Sequence, residues 1–168
     1  MFTDYIVSSL PSLAFGAPAP MPWEKFAEAC GGEENALGCI AESGWADLET
    51  QMRNAIAEAR APGRTDFRRP ATGCSLYWRN RVLACFQEKD VLRREELLDK
   101  TWWDAAGELT PPTSPLGRGA LATYALRLRI ALRRDMMSAE KGNAAFERLT
   151  AETKRSTISQ KPENGNLP

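Results

Sequence analysis

The chain has 168 residues, 43% apolar and 26% charged, with 22 basic side chains, 22 acidic side chains and no histidine. A chain of this length buries roughly two-thirds of its unfolded surface on folding, so it needs no disulfide or structural metal to be stable. The absence of histidine excludes Ser-His-Asp and Cys-His catalytic sets and the two-histidine zinc helix, and neither a P-loop nor a dinucleotide-binding glycine motif is present.

The charge is unevenly spread. Residues 1–60 carry nine acids against three bases, and residues 61–168 carry thirteen acids against nineteen bases, which predicts an oriented electrostatic surface. The four cysteines, Cys30, Cys39, Cys74 and Cys85, contain no CxxC pair. They read as reduced, largely buried thiols, and no metal or cofactor is expected. The opening has an apolar run, but Asp4 takes the place of a basic leader and Pro11 breaks the run. It does not read as a signal peptide, no stretch is long enough to cross a bilayer, and a cytoplasmic location is expected.

In chain order, Tyr5 to Leu10 is a short extended or one-turn element, and the only stretch with any strand character. Tyr5, Val7 and Leu10 are expected to pack it into the core. The proline-rich run from Gly16 to Pro22 then reads as a stiff crossover. Trp23, Phe26, Ala27 and Cys30 recur at helical spacing, and Gly31-Gly32 ends that helix. A weaker helix covers ENALGCIAES. Next comes a strongly amphipathic one with Trp45, Leu48, Met52, Ile56 and Ala59 on one stripe and a Glu49–Arg53 pair on its flank.

Pro62-Gly63 opens a basic loop over residues 62–74. The helix from Ser75 offers Leu76, Val82, Leu83 and Phe86 for burial. Asp90 is placed to cap the next, whose Leu92, Leu97 or Leu98, Trp102 and Ala105 are expected to face inward while Arg94-Glu95-Glu96 faces water. Three prolines in residues 110–115 end it. A long helix over 116–138 and a final one capped by Ser138 complete the pattern. The expectation is an all-α, single-domain helical bundle of about six helices over residues 1–155, with a disordered tail at 156–168.

The helix over 116–138 has two apolar faces. Leu121, Tyr124, Leu128 and Leu132 form one stripe, and Leu126, Ile130 and Met137 form another nearly opposite. Arg129 and Arg133 fill one gap between the stripes and Arg127 and Arg134 the other; from Leu116 to Arg134 there are five arginines and no acid. Two readings fit. Either the helix runs through the middle of the bundle with its arginines snorkelling outward, or the second stripe docks a partner protein whose acidic residues meet the arginines. On the second reading the interface is Leu126, Arg127, Arg129, Ile130, Arg133, Arg134 and Met137. The same stripe offers a route to a homodimer of the isolated chain.

Motifs with catalytic potential are sparse. Ser138 and Lys141 match a serine–lysine SxxK pattern, but its companion motifs are missing and Ser138 is better read as a helix cap. The pairs Glu33-Glu34 and Glu95-Glu96 point about 100° apart on a helix and read as solvated faces. Trp102-Trp103 reads as one core ring and one ring over a helix junction.

Four blocks carry a resemblance. The run from Tyr5 to Phe15, followed by prolines and the WEKFAEAC helix, is similar to a YYLVSSLPxLxF opening; LETQMRNAIAEARA is similar to a WExxLRNxLxxxRA helix. EKDVLRREELLDKTWWDAAGELT is similar to PLxRExLLDxxRWDxLxELT, and LRIALRRDMMSAEKGNAAFERL to an LxILxRWxxLDxEKGxxxFxxL ending. In this order, over roughly residues 4–150, they resemble a bacterial domain-of-unknown-function family typically encoded among the subunits of V/A-type rotary ATPases. The opening also looks distantly like the helical funnel subunit of those enzymes, which couples the central stalk to the membrane ring. Met52 and Trp103 stand where the family pattern has Leu and Arg, the 62–74 loop is short, and the funnel subunit is about twice this length.

The resemblance implies a non-catalytic helical subunit or assembly factor of a V/A-type ATPase, whose partners are other ATPase subunits and whose membrane contact is indirect. The alternative is a nucleic-acid-binding helical module using the same arginines with Arg64, Arg68 and Arg69. Charge neutrality and the lack of aromatics interleaved with arginine weigh against it.

Overall fold

A computed structural model describes residues 3–137 together with 147, 148 and 150. Among these residues the fold is all-α: α1 (Thr3–Ser9), α2 (Trp23–Ala29), α3 (Glu33–Ala41), α4 (Trp45–Arg60), α5 (Leu76–Cys85), α6 (Val91–Gly107) and α7 (Arg118–Met136). The chain divides into two compact units, Met1–Leu132 and Arg133–Pro168. The first holds the described core. In the second, Arg133–Met136 are helical and Met137 follows them. The expected Ser138-capped helix lies largely outside the described residues, as does the 156–168 tail.

The opening is helical rather than extended. It has no neighbouring strand to pair with, so its backbone groups are satisfied locally, and the Ser8 and Ser9 hydroxyls donate back to the carbonyls of Tyr5 (3.0 Å) and Ile6 (2.8 Å). The change of period changes what packs. Ile6, Val7 and Leu10 lie against the core, while Tyr5, which an alternating pattern would pair with Val7, is 75% exposed. Ala19 and Met21 pack the crossover onto the same core.

Two caps match their residues. Ser75 Oγ accepts from the Trp78 backbone N–H at 3.4 Å, and the Asp90 carboxylate accepts from that of Arg93 at 2.8 Å. The α5–α6 hairpin they open shares Val82, Leu98 and Ala105 with the expected inner face, but Leu76 and Leu92 are exposed, and Trp78, Cys85 and Trp103 are buried in addition. Trp102 is half-buried against Trp45, with ring centroids 5.7 Å apart.

The core has two clusters, and α7 contributes to both. Phe26, Ala27, Cys30, Ala36 and Cys39 from α2, its C-cap and α3 meet Leu121, Ala122, Ala125 and Leu128. Trp45, Met52, Ala55, Trp78, Val82, Cys85, Leu98, Ala105 and Ala106 from α4, α5 and α6 meet Leu126. A helix between two clusters has to be apolar on two sides, which accounts for the double stripe. Alanines at 120, 122, 125 and 131 are buried on α7, where their small size lets neighbouring backbones approach. At the entry to α7, a Cβ at Gly119 would lie only 2.0 Å from the Leu109 carbonyl oxygen. The Thr123 hydroxyl lies 2.7 Å from the Ala106 carbonyl oxygen and 2.8 Å from Thr110 Oγ1, which ties α7 to the end of α6.

Candidate functional site

The seven residues expected to face a partner separate when placed on α7. Leu126 is 7% exposed and belongs to the core cluster. Arg127 is folded inward: its Nε donates to the Trp103 carbonyl at 3.1 Å and its guanidinium lies 5.1 Å from the Trp103 ring centroid. Burial lowers its pKa below the ordinary arginine value, and the Asp104 carboxylate opposes that shift. Ile130 is half-buried. Arg129 is exposed, with its guanidinium 5.9 Å from the Trp23 ring centroid. Arg133 and Met137 are exposed and Arg134 half-buried, in the second unit. Leu126 is therefore not available to a partner in this fold, and Arg127 is half-buried and engaged with Trp103; of the four positions in the first unit Arg129 is the exposed one.

The basic loop after α4 is held in a way its composition did not predict. Asp47, Gln51, Asn54 and Glu58 recur at i, i+4, i+7 and i+11 along α4 and form a polar stripe beside the apolar one. Asp47 accepts from the Thr72 backbone N–H at 2.8 Å; Gln51 donates to the Thr72 carbonyl at 2.8 Å and accepts from the Ser75 N–H at 2.7 Å. Asn54 grips the Arg69 backbone from both sides, donating to its carbonyl at 2.8 Å and accepting from its N–H at 3.0 Å. Glu58 pairs with Arg68 and Arg79. From Gln51 to Glu58 the loop partners run backward from Ser75 and Thr72 through Arg69 to Arg68, so this part of the loop is an antiparallel strap along the helix. The spacing of these four polar residues was the available signal.

This arrangement also pairs two of the loop's three arginines, Arg64 and Arg68, with carboxylates. Arg64 pairs with Asp66 at 2.6 Å and stacks on Phe67 with its guanidinium 4.1 Å from the ring centroid, and Arg53 pairs with Glu49 at 2.6 Å as expected. The Arg69 side chain has no ion pair among the described residues.

Glu95 lies 3.9 Å from Arg60 and Glu96 pairs with Arg93, so the second carboxylate pair is divided between different partners. Ser138 and Lys141 lie outside the described residues. Cys30, Cys39 and Cys85 are buried and Cys74 is exposed, all four as free thiols. Among the described residues no helix is long and apolar enough to cross a membrane.

Comparison with family models, curated proteins and solved structures finds no match for this chain.

Proposed function

We propose that the chain is a non-catalytic helical subunit or assembly factor of a V/A-type rotary ATPase, reaching the membrane only through its protein partners. The observation that carries this reading is the order of the four sequence blocks. Their apolar positions include core positions here: Leu10 of the first packs on one cluster, Met52 of the second and Leu98 of the third lie in the other, and Leu128 of the fourth lies in the first. Each block thus contributes at least one residue that packs in or against the core. The exposed Arg129 supplies a cation of the kind that acidic helix C-termini of a partner would meet.

The test is to tag the carboxy terminus, purify the protein gently from its own cells and identify what accompanies it by mass spectrometry. Rotary ATPase subunits in fixed ratio, lost or depleted with Arg129→Glu, are the expected result. Purification alone or with nucleic acid would overturn it. The nucleic-acid alternative gains no support from the loop, because Arg64 and Arg68 are each paired with a carboxylate.

A further inference from the structure

The strap and α4 enclose an open groove of about 530 Å³, lined by Ala46, Glu49, Thr50, Arg53, Asn54, Phe67 and Arg69. Its α4 wall is the face 46, 49, 50 and 53, next to the polar stripe that holds the strap. The volume lies within the range of small-ligand sites. We propose that this groove binds a short acidic peptide segment of a partner protein, with one carboxylate held by the Arg69 guanidinium and an adjacent apolar side chain against Phe67.

Three observations carry the proposal. First, the groove is built in advance. Asn54 fixes the Arg69 backbone through both its N–H and its carbonyl, so the position of this residue does not depend on its own side chain. Second, among the described residues the strap and the groove wall leave a single free cation. Arg64, Arg68 and Arg79 are each paired, and Arg53 directs Nε and Nη2 at one Glu49 oxygen, at 2.8 and 2.6 Å. Arg69 is left as the unneutralised cation of the lining, and a guanidinium can hold a carboxylate through two parallel hydrogen bonds.

Third, the wall also carries a carboxylate. Glu49 Oε2 has no hydrogen-bond partner among the described residues and can accept a peptide N–H, a donor that a phosphodiester backbone lacks. A ligand with one carboxylate, backbone N–H donors and an apolar side chain matches all three features. Phe67, 39% exposed, supplies the apolar contact. This proposal does not depend on the rotary-ATPase reading.

The test titrates the isotope-labelled full chain with the blocked peptide acetyl-Gly-Glu-Leu-Glu-Gly-amide at low ionic strength, where an exposed charge pair is least screened. Shifts are expected at the amides of Thr50, Asn54 and Phe67. Arg69→Gln should weaken binding about tenfold, as expected for loss of one charge-assisted bond. A peptide with Gln in place of both Glu residues should lose a similar factor, and Phe67→Ser provides an independent variant. An unchanged melting temperature checks that Arg69→Gln still folds.

Equal binding of the Glu and Gln peptides, or unchanged affinity in the folded Arg69→Gln chain, would overturn the proposal. So would tighter binding of a single-stranded oligonucleotide that falls steeply with salt.

Discussion

The Nε of Arg127 donates to the backbone carbonyl of Trp103 at 3.1 Å, and the same guanidinium lies 5.1 Å from the Trp103 ring centroid. One arginine therefore satisfies a carbonyl near the end of α6 and covers an indole that is 6% exposed. Phe15 reaches the same indole edge-on, with centroids 5.6 Å apart. Truncation of Arg127 to Ala removes the hydrogen bond and the cation–π contact together. We expect a loss of about 1–3 kcal/mol of unfolding free energy by urea titration. Arg129→Ala, on the exposed side, is expected to change stability by less than about 0.5 kcal/mol. Equal effects of the two would mean that Arg127 is not integrated into the fold.

Leu126 and Leu128 face different clusters, and both are core residues. Leu126→Ala and Leu128→Ala should each cost about 2–4 kcal/mol in the isolated chain. Leu10→Ala, at a half-buried position, should cost about 1–2 kcal/mol. A Leu126→Ala chain with a wild-type melting curve would return Leu126 to the surface.

Two glycines respond differently to a methyl group. At Gly119 an added Cβ meets the Leu109 carbonyl oxygen at 2.0 Å and Pro111 Cδ at 3.2 Å, so backbone has to move. Gly119→Ala is expected to destabilise by about 3 kcal/mol. At Gly107 the nearest atom is Arg127 Nη2 at 2.6 Å, the end of a flexible side chain. The helix-propensity gain of about 1 kcal/mol there offsets displacement of the guanidinium, so Gly107→Ala should be near neutral. Thermal melts of the two variants check the contrast.

The strap makes a prediction about proteolysis. Asn54→Ala removes both bonds to the Arg69 backbone, a loss of about 1–2 kcal/mol of local stability. Tryptic cleavage after Arg64 or Arg68 should accelerate about five- to thirtyfold, with little change in the global melting temperature. Unchanged cleavage would show that the strap is held elsewhere.

The thiols differ in access and in titration. In the native state a thiol reagent should label the exposed Cys74, and in denaturant it should label all four cysteines. Burial, reinforced by neighbouring Cys39, raises the Cys30 thiol from 9.0 to about 11. Burial also raises Cys39 and Tyr124. A raised pKa means that the folded state holds its proton more tightly than the unfolded chain. The contribution is thus fully present below pH 9 and is lost as pH climbs toward 11. For Cys30 this loss is on the order of 2–3 kcal/mol. Urea midpoints across that interval should fall, and Cys30→Val should reduce the fall.

Local chemistry was readable along the chain. Asp90 caps because a short polar side chain before an apolar helix has few better places for its oxygen. The breaks at Pro62-Gly63 and at residues 110–115 follow from proline's missing N–H and glycine's freedom. The Glu49–Arg53 pair follows from helical spacing alone. These depend on residues within one turn of each other. The all-α class follows too, since the apolar spacing is close to 3.6 along most of the chain.

Which side of each helix faces inward depends on neighbours distant in sequence. The spacing of α6 puts Trp102 inside, whereas Phe15 and Arg127, reached only after folding, enclose Trp103 and leave Trp102 half-buried. The two stripes of α7 are equally apolar in sequence. Packing α2 and α3 on one and α4, α5 and α6 on the other makes Leu126 core and turns Arg127 inward. The strap is the same case in polar form: Asn54 and Arg69 are fifteen residues apart, and only closure of the loop brings that amide to that backbone. Periodicity and capping are local properties of a helix, whereas burial is a relation between helices. For that reason the first could be read from residue order, and the second only from the folded chain.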